Sequence, residues 1–362
     1  MTYKKLFMMV WSVAFAFAAS ADTYTDAKGV TWTYTEHDAQ NHYVTFVNGS
    51  GGNAVACVPD PDNLVMDYAD IPWTFKKDDI TYTVKIITNR AFLNCKKMYG
   101  TLRIPSSVAR VKGGYTFADN KVLTNLIVAA SVPIEGDHLF KGCNSIQTAR
   151  IGNQVSTRGL FNACNSMKLV LFGPNAVRTT TDDTGSYESF VNAVCSNCKV
   201  FCPAGSSWDS YAPGGQGVEK VRYGAEYDLN IEVDETAKIL TATVASTNAL
   251  AAVLDSAPYF KSGFGLDTRI NVTNALDIAD GLITPGKLAN ATFNTLMVSV
   301  KTQAQLDSLL AVVPASIPLS IDPTGATQKL TISTADGRKV YVLLPENGTY
   351  KIRKDGLVIL VN

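Results

Sequence analysis

Apolar residues in the middle of the chain recur with a period of 21 to 25 residues. Each period begins with a phenylalanine: Phe92, Phe117, Phe140 and Phe161. Three residues after each phenylalanine stands a small side chain: Cys95, Asn120, Cys143 and Cys164. A short alternating segment follows, typical of a β-strand with one buried face, and the first repeat carries one extra residue there. This period predicts a solenoid whose repeats stack their apolar faces on one another.

A fifth, degenerate repeat places Cys195 in the cysteine position and Val200 with Cys202 in the strand. We interpret the repeat cysteines as buried apolar side chains, because unbridged cysteine packs as a small hydrophobe. Cys195 and Cys198 have C-x-x-C spacing, but a zinc site needs four ligands and a second pair is missing. A disulfide from Cys198 to Cys202 or Cys195 stays an alternative in an oxidising compartment.

The first repeat has the most specific sequence. It reads YTVKIITNRAF from Tyr82 to Phe92 and continues with LNCKKM and RIPSSVARV. This stretch resembles the BspA-like leucine-rich-repeat family, and the resemblance covers about residues 80–213. The resemblance implies a leucine-rich-repeat fold and an exported, non-enzymatic module that is used in adhesion and recognition.

The chain begins with Lys4 and Lys5, an apolar run and the small residues Ala19, Ser20 and Ala21. This order predicts a secretory signal that is cleaved after Ala21. A membrane anchor is the alternative, but the run is shorter than the roughly 20 residues that span a bilayer. We therefore expect a secreted or cell-surface protein whose mature chain has no transmembrane span.

Residues 22–79 alternate between apolar and polar positions and contain a glycine-rich break, which predicts antiparallel strands that cap the solenoid. Their aromatic residues can pack in the core of the cap or stack on sugars, and we favour packing because such residues suit half-buried strands. They are Tyr24, Trp32, Tyr34, Tyr43, Trp73 and Phe75.

The repeats end near residue 217, and residues 220–362 are predicted to form a separate α+β domain of unknown role. A capping box at Thr302 and Gln305 opens a helix that ends at Pro314. Four later strands are predicted to form a meander with Asp-Gly and Asn-Gly turns. The predicted fold class is therefore α+β and β-rich, with a leucine-rich-repeat solenoid of four to five rungs over residues 80–217 between an N-terminal β cap and this domain.

Charge and composition exclude some functions. Charged residues make up 18% of the chain, and loss of the signal leaves 30 basic against 32 acidic residues. This balance gives no general drive toward nucleic acid. Residues 80–118 nevertheless contain no acidic residue, and their basic side chains form either a solvated face or a basic end for a partner such as an anionic glycan. These residues are Lys85, Arg90, Lys96, Lys97, Arg103, Arg110 and Lys112.

Catalytic motifs are missing from the sequence. The three histidines, His37, His42 and His138, have no metal-motif spacing, and we find no serine elbow, P-loop or dinucleotide fingerprint. We therefore predict no catalytic residue, no metal ligand and no cofactor. Paired carboxylates of a glycosidase need no local motif, so a secreted carbohydrate-active protein with its chemistry in residues 220–362 is the alternative function.

The binding site is predicted on the outer face of the repeat strands. Because successive side chains alternate between faces, the residue between two inward apolar positions points outward. The predicted row is Arg103, Ile127, Arg150, Leu171 and Phe201. Arginine and large apolar side chains carry binding energy at interfaces, so the row is expected to recognise a protein or glycan on a cell or matrix surface. A flanking segment that covers the row is the alternative.

Overall fold

The structure is a computed structural model of the 362-residue chain. It describes residues 21–47, 57–58, 60–156, 159–177, 197–208, 218–278, 281–333, 340–343, 349–352 and 358–361. Strands dominate this part of the chain, which contains a few short helices. The strand-rich class with a few helices is therefore confirmed. No helix in these residues is long and apolar enough to cross a membrane.

Residues 22–87 form six strands, because aromatic and β-branched residues alternate with polar ones along them. The strands are β1 (Asp22–Thr25), β2 (Thr31–Asp38), β3 (Tyr43–Phe46), β4 (Met66–Asp67), β5 (Thr74–Lys77) and β6 (Ile80–Ile87), with a 3₁₀ turn at Tyr68–Asp70. β1, β2 and β3 pair antiparallel, and β6 pairs parallel with β3 and antiparallel with β5. Trp32 and Tyr34 are at most 1% exposed, and the Tyr24 ring stacks on Phe75 at 4.4 Å. Core packing is confirmed for Tyr24, Trp32, Tyr34, Trp73 and Phe75, whereas Tyr43 is half-buried and does not belong to this core.

The strands of the following segment pair in parallel and, up to β13, contribute alternately to two sheets. Its strands are β7 (Met98–Ile104), β8 (Arg110–Lys112), β9 (Leu123–Val128), β10 (Ile134–Glu135), β11 (Thr148–Ile151), β12 (Val155–Ser156), β13 (Leu169–Phe172), β14 (Cys198–Pro203) and β15 (Val218–Tyr223). The repeat sheet has the order β15-β14-β13-β11-β9-β7-β4. The second sheet has the order β1-β2-β3-β6-β8-β10-β12, with β5 beside β6.

Successive repeats align the residues that the sequence pattern aligned. Leu102 is the Cα partner of Leu126, and Leu126 is the partner of Ala149. The register of β7 and β9 shifts between Gly100 and Thr101, where β9 advances two residues, from Leu123 to Asn125, against one residue in β7.

The phenylalanines stack in one core beneath the two sheets. Ring centroids are 5.0 Å apart for Phe92 and Phe117, 5.2 Å for Phe117 and Phe140, and 5.7 Å for Phe140 and Phe161. All four side chains are 0% exposed. The predicted burial of this column is confirmed.

Cysteine suits the position three residues after the repeat phenylalanine because its thiol reaches the backbone of the preceding repeat. Cys143 Sγ donates to the Phe117 carbonyl at 3.2 Å, and Cys164 Sγ donates to the Phe140 carbonyl at 3.1 Å. Burial raises the pKa of the Cys143 thiol to about 12. The structure confirms that these cysteines are buried apolar side chains.

The proposed disulfide from Cys198 to Cys202 is wrong. Both residues lie in β14, where four residues of extended chain span roughly 13 Å, beyond the roughly 7 Å that a disulfide bridges. The alternative bridge to Cys195 lies outside the described residues.

The remaining residues form three further sheets with helices beside them. Their elements are β16 (Leu229–Asp234), β17 (Ile239–Val244), α1 (Thr247–Tyr259), β18 (Asp267–Val272), β19 (Leu276–Asp277), α2 (Pro285–Leu288), β20 (Ala291–Phe293), β21 (Leu296–Ser299), α3 (Gln303–Val312), β22 (Leu319–Asp322), β23 (Leu330–Ser333), β24 (Val340–Leu343), β25 (Thr349–Ile352) and β26 (Val358–Val361). A π-helical turn, Phe260–Phe264, follows α1. The sheets have the orders β16-β17-β18-β20, β19-β21-β22-β25-β26 and β23-β24.

The predicted capping box is confirmed at the start of α3. Thr302 Oγ1 accepts from the Gln305 backbone at 3.2 Å, and Gln305 Oε1 accepts from the Thr302 backbone at 3.2 Å. The predicted meander is wrong, although its four strands exist. β23 and β24 pair antiparallel in a sheet of their own, whereas β25 pairs antiparallel with β22 and β26. The predicted turns between these strands lie outside the described residues.

Candidate binding surface

The parallel register places the five predicted binding residues side by side. Arg103 is the Cα partner of Ile127, and Ile127 is the partner of Arg150. Leu171 is the partner of both Arg150 and Phe201. The row therefore exists as the sequence pattern predicted.

Much of this row is covered, so the predicted exposure is wrong for Leu171 and Phe201. Leu171 is 2% exposed and Phe201 is 0% exposed. Both belong to an apolar cluster with residues of the C-terminal segment, and the Phe201 ring lies 5.6 Å from the Phe260 ring. Ile127 packs against the same cluster. The outer face is apolar here because it is an internal interface.

The π-helical turn lies so close to the repeat sheet that only glycine fits at the contact. A Cβ atom at Gly263 would lie 2.8 Å from the Thr148 Cβ and 2.6 Å from its Cγ2. Thr148 is 1% exposed, and its hydroxyl donates to Asn125 at 2.8 Å. This close approach explains how a short turn covers the outer face of β9 and β11.

Arg150 also belongs to the internal interface. Its guanidinium donates to the Glu235 carboxylate, and its side chain is 15% exposed. Burial raises the pKa of Glu235, but the hydrogen bond and charge of Arg150, together with Lys238, outweigh burial and lower it. A charged residue that the sequence analysis assigned to binding therefore joins the repeat sheet to the segment after β16.

A cleft of about 650 Å³ lies beside this ion pair, and Leu171, Tyr223 and Val233 contribute to its walls. This volume is within the range of small-molecule sites. Its Arg150 and Glu235 groups already pair with each other. The cleft is therefore part of the contact between the repeat sheet and the C-terminal segment.

The outer face of the repeat sheet stays open at β4 and β7, and we call this surface the open face. Tyr99 is 47% exposed, and Arg103 is exposed and makes no ion pair among the described residues. Between them Thr101 accepts a hydrogen bond from Asn125 at 3.2 Å. Val65 at 69% exposure flanks β4. The open face thus combines an aromatic, an apolar and a cationic side chain around a polar centre.

Tyr99 was missed by the sequence analysis, which counted outward positions only between the two inward residues at the end of each strand. The signal was present in the extra residue of the first repeat. β7 spans the seven residues Met98–Ile104, whereas β9 contains six residues and β11 and β13 contain four each. The longer strand presents Tyr99 two positions before Thr101, on the same outer face.

The basic run is divided among several surfaces. Lys96 pairs with Asp62 at 3.2 Å, and Lys97 donates to Asn63 at 2.9 Å. Arg103 lies on the open face, and Arg90 is exposed in a turn with φ of 58°. Lys85, Arg110 and Lys112 lie on the strands of the second sheet. The run is therefore one segment of sequence but not one basic end.

The histidines do not converge on a site. His37 bonds Thr45 at 3.0 Å, whereas His42 bonds Glu36 at 3.1 Å. His138 stacks on Tyr115 with ring centroids 5.1 Å apart. Within the described residues no three or more His, Cys, Asp and Glu side chains form a group that could hold a metal ion.

Two carboxylates of the C-terminal segment have lysine partners. Asp255 lies 2.9 Å from Lys287, and Asp277 lies 2.7 Å from Lys301. A glycosidase pairs two carboxyl groups with each other and raises the pKa of one of them. Asp255 and Asp277 instead pair with lysines.

No curated protein matches the chain. A solved leucine rich cell surface protein from Faecalibacterium prausnitzii A2-165 is 15% identical, with a TM-score of 0.32, over 71% of this chain and 73% of that chain. A leucine-rich repeat protein from Bacteroides ovatus ATCC 8483 is 12% identical, with a TM-score of 0.19, over 86% of this chain and 81% of that chain. At these TM-scores the two likenesses support no inference about this chain.

One family model matches the middle of the chain. It is described as BspA type leucine rich repeat region, and it matches six copies over residues 73–184. The stacked phenylalanines and parallel strands lie largely within these residues. Residues 73–184 are therefore a BspA-type leucine-rich repeat region, as the first repeat of the sequence indicated.

Proposed function

We propose that this protein is an exported, non-enzymatic recognition module that binds a protein or glycan on a cell or matrix surface. Residues 80–217 serve as the solenoid, residues 22–79 as its N-terminal cap, and residues 220–362 as a C-terminal domain that braces it. The leucine-rich repeats support a binding role because stacked repeats present an extended surface of neighbouring strands.

The observation that carries the proposal is the open face. The C-terminal segment covers Leu171 and Phe201 but leaves Tyr99 and Arg103 exposed on the same sheet. Tyrosine and arginine are enriched among the residues that dominate binding energy at interfaces. We therefore assign recognition to the end of the row that contains Arg103, extended by Tyr99, and we assign Arg150, Leu171 and Phe201 to the internal interface.

The contacts of Asp22, the expected first residue of the mature chain, are compatible with cleavage after Ala21. Asp22 Oδ2 accepts from Tyr34 at 3.0 Å and from Lys77 Nζ at 2.6 Å. β1 begins at Asp22, so cleavage after Ala21 leaves the sheet intact. Intact mass of the exported protein tests this step, and a mass that still includes residues 1–21 contradicts it.

The test of binding measures retention of the mature protein on immobilised matrix proteins and glycans. Tyr99→Ala and Arg103→Glu are expected to weaken retention on the partner so identified by about ten-fold or more, because both remove an exposed anchor. Tyr227→Ala is the matched control, since Tyr227 is also 47% exposed but lies after β15. All three variants should melt like the wild type.

The results separate two explanations. If Tyr99→Ala and Arg103→Glu retain wild-type binding while the protein stays folded, the open face is not the recognition surface. If Tyr227→Ala weakens binding as much as Tyr99→Ala does, the contact is not specific to the repeat sheet.

A further inference from the structure

Three cationic side chains lie close together on the outer side of the second sheet, on its β6 and β8 strands. Arg110 and Lys112 stand on either side of Val111, which is 0% exposed, so both point away from the core. Residues two apart on a strand are roughly 7 Å apart. We call the surface formed by Lys85, Arg110 and Lys112 the basic face.

Lys85 joins this surface from the neighbouring strand. Ile86 is the Cα partner of Arg110, and the register of β3 and β6 shifts at this point, so Lys85 lies in an irregularity of the sheet. Its ammonium group lies 4.8 Å from the centroid of the Tyr43 ring. Adjacent strands are about 4.8 Å apart, so the three residues occupy neighbouring backbone positions, with the Lys85 ammonium group leaning toward β3.

These charges are not neutralised within the described residues. None of the three side chains forms an ion pair there, although Glu135 is the Cα partner of Lys112. By contrast, Lys96 of the same basic run pairs with Asp62. The basic face therefore keeps its charge available for a ligand.

The charges of Arg110 and Lys112 also act on His37, which lies on β2. Burial is the main cause that lowers the pKa of His37, Asp38 opposes the change, and the charges of Arg110 and Lys112 add to the lowering. His37 is exposed and bonds Thr45 of β3 at 3.0 Å. Arg110 and Lys112 therefore lie near enough to His37 of β2 to act on it, although burial has the larger effect.

We propose that the basic face binds a linear anionic polysaccharide, whose repeated acidic groups contact Lys85, Arg110 and Lys112. This site is independent of the open face and of its partner. Repeated charges along a flexible chain match separate cations on neighbouring strands, and several weak contacts together give useful affinity.

Nucleic acid and membrane fit this surface less well. The Lys85 ammonium group already lies over one face of the Tyr43 ring, so this ring is poorly available for stacking with a base. The chain as a whole carries 32 basic and 32 acidic residues, whereas nucleic-acid binding favours an excess of positive charge. Recognition of anionic lipid usually takes clusters of about four to eight Lys and Arg residues, and the basic face has fewer.

The experiment measures binding of the full mature chain to immobilised heparin and polygalacturonate, with neutral dextran as the blank. Lys85→Gln, Arg110→Gln and Lys112→Gln are combined in one variant. The matched control combines Lys96→Gln, Lys97→Gln and Lys261→Gln, which removes the same charge from other surfaces. Binding should fall about ten-fold or more in the first variant only, and added salt should weaken wild-type binding because exposed charges are screened.

The outcomes are distinguishable. Equal loss in both triple variants, or no loss in either, overturns the proposal. Binding to a single-stranded oligonucleotide or to anionic vesicles that exceeds binding to both polysaccharides, with the same dependence on Lys85, Arg110 and Lys112, also overturns it. If the triple variant melts early, the single variant Arg110→Gln keeps the test, since Arg110 is exposed and lies outside the core. If binding to the polysaccharides is lost while retention on the partner of the open face, which depends on Tyr99 and Arg103, stays intact, the proposed function is unaffected.

Discussion

Gly263→Ala tests whether the C-terminal segment packs on the repeat sheet. The added methyl group would lie 2.6 Å from Thr148 Cγ2 and 2.8 Å from Thr148 Cβ, well inside van der Waals contact. Thr148 cannot move aside easily because it is 1% exposed and hydrogen-bonded to Asn125. Overpacking of this kind costs about 1–3 kcal/mol of the free energy of unfolding.

The expected change in stability is opposite in sign to that of the same substitution at an uncrowded helical position. Gly263 lies in a π-helical turn, and glycine to alanine in an uncrowded helical position stabilises by about 0.5–1 kcal/mol. Gly286→Ala in α2 is the matched control, because no atom lies within 4 Å of its Cβ position. Gly263→Ala should therefore lose stability while Gly286→Ala is unchanged or gains.

Urea unfolding, followed by fluorescence and by circular dichroism, measures both variants. A lower midpoint with an unchanged slope identifies a change in stability. Gly263→Ala is also expected to expose Leu171 and Phe201, which a rise in binding of an apolar dye would detect. If Gly263→Ala is as stable as Gly286→Ala, the turn does not pack on Thr148 and our reason for the burial of Phe201 is refuted.

Four further predictions concern the repeats and their contacts. Phe140→Ala should lower the free energy of unfolding by about 3–5 kcal/mol, because it empties a fully buried aromatic position, and a wild-type urea midpoint would contradict the stacked core. Asn120→Cys should stabilise by about 1 kcal/mol or more, since both amide atoms of Asn120 are buried without a partner among the described residues, and an earlier melt would refute this reasoning. Arg150→Glu should lower the melting temperature. Folding lowers the pKa of Glu235, so in the wild type its ion pair stabilises the fold above the ordinary pKa of 4.5, and this stabilisation is lost as pH falls. The variant should lack this pH dependence, and a pH profile of melting that matches the wild type would argue against the pair. Cys143 should resist alkylation at pH 8 until urea unfolds the chain, because burial raises its thiol pKa to about 12, and modification of the native protein would place it at the surface.

The sequence by itself determined the repeats, because stacking constrains a few positions in every copy. Each Phe ring must meet the ring of the next repeat, so Phe92, Phe117, Phe140 and Phe161 recur in register. The capping box of α3 was equally readable, since its two hydrogen bonds involve residues three apart. Local contacts and repeated contacts both leave a pattern along the chain.

Only the tertiary structure decided which part of the repeat sheet is available to a partner. Strand alternation shows that Arg103, Leu171 and Phe201 point outward, but it carries no record of what lies above them. The cover comes from Phe260 and Gly263, far along the chain, and no short-range pattern links them to β11 or β14. For the same reason the sequence did not predict that β25 pairs with β22. Which strand edges meet depends on how distant parts of the chain fold together.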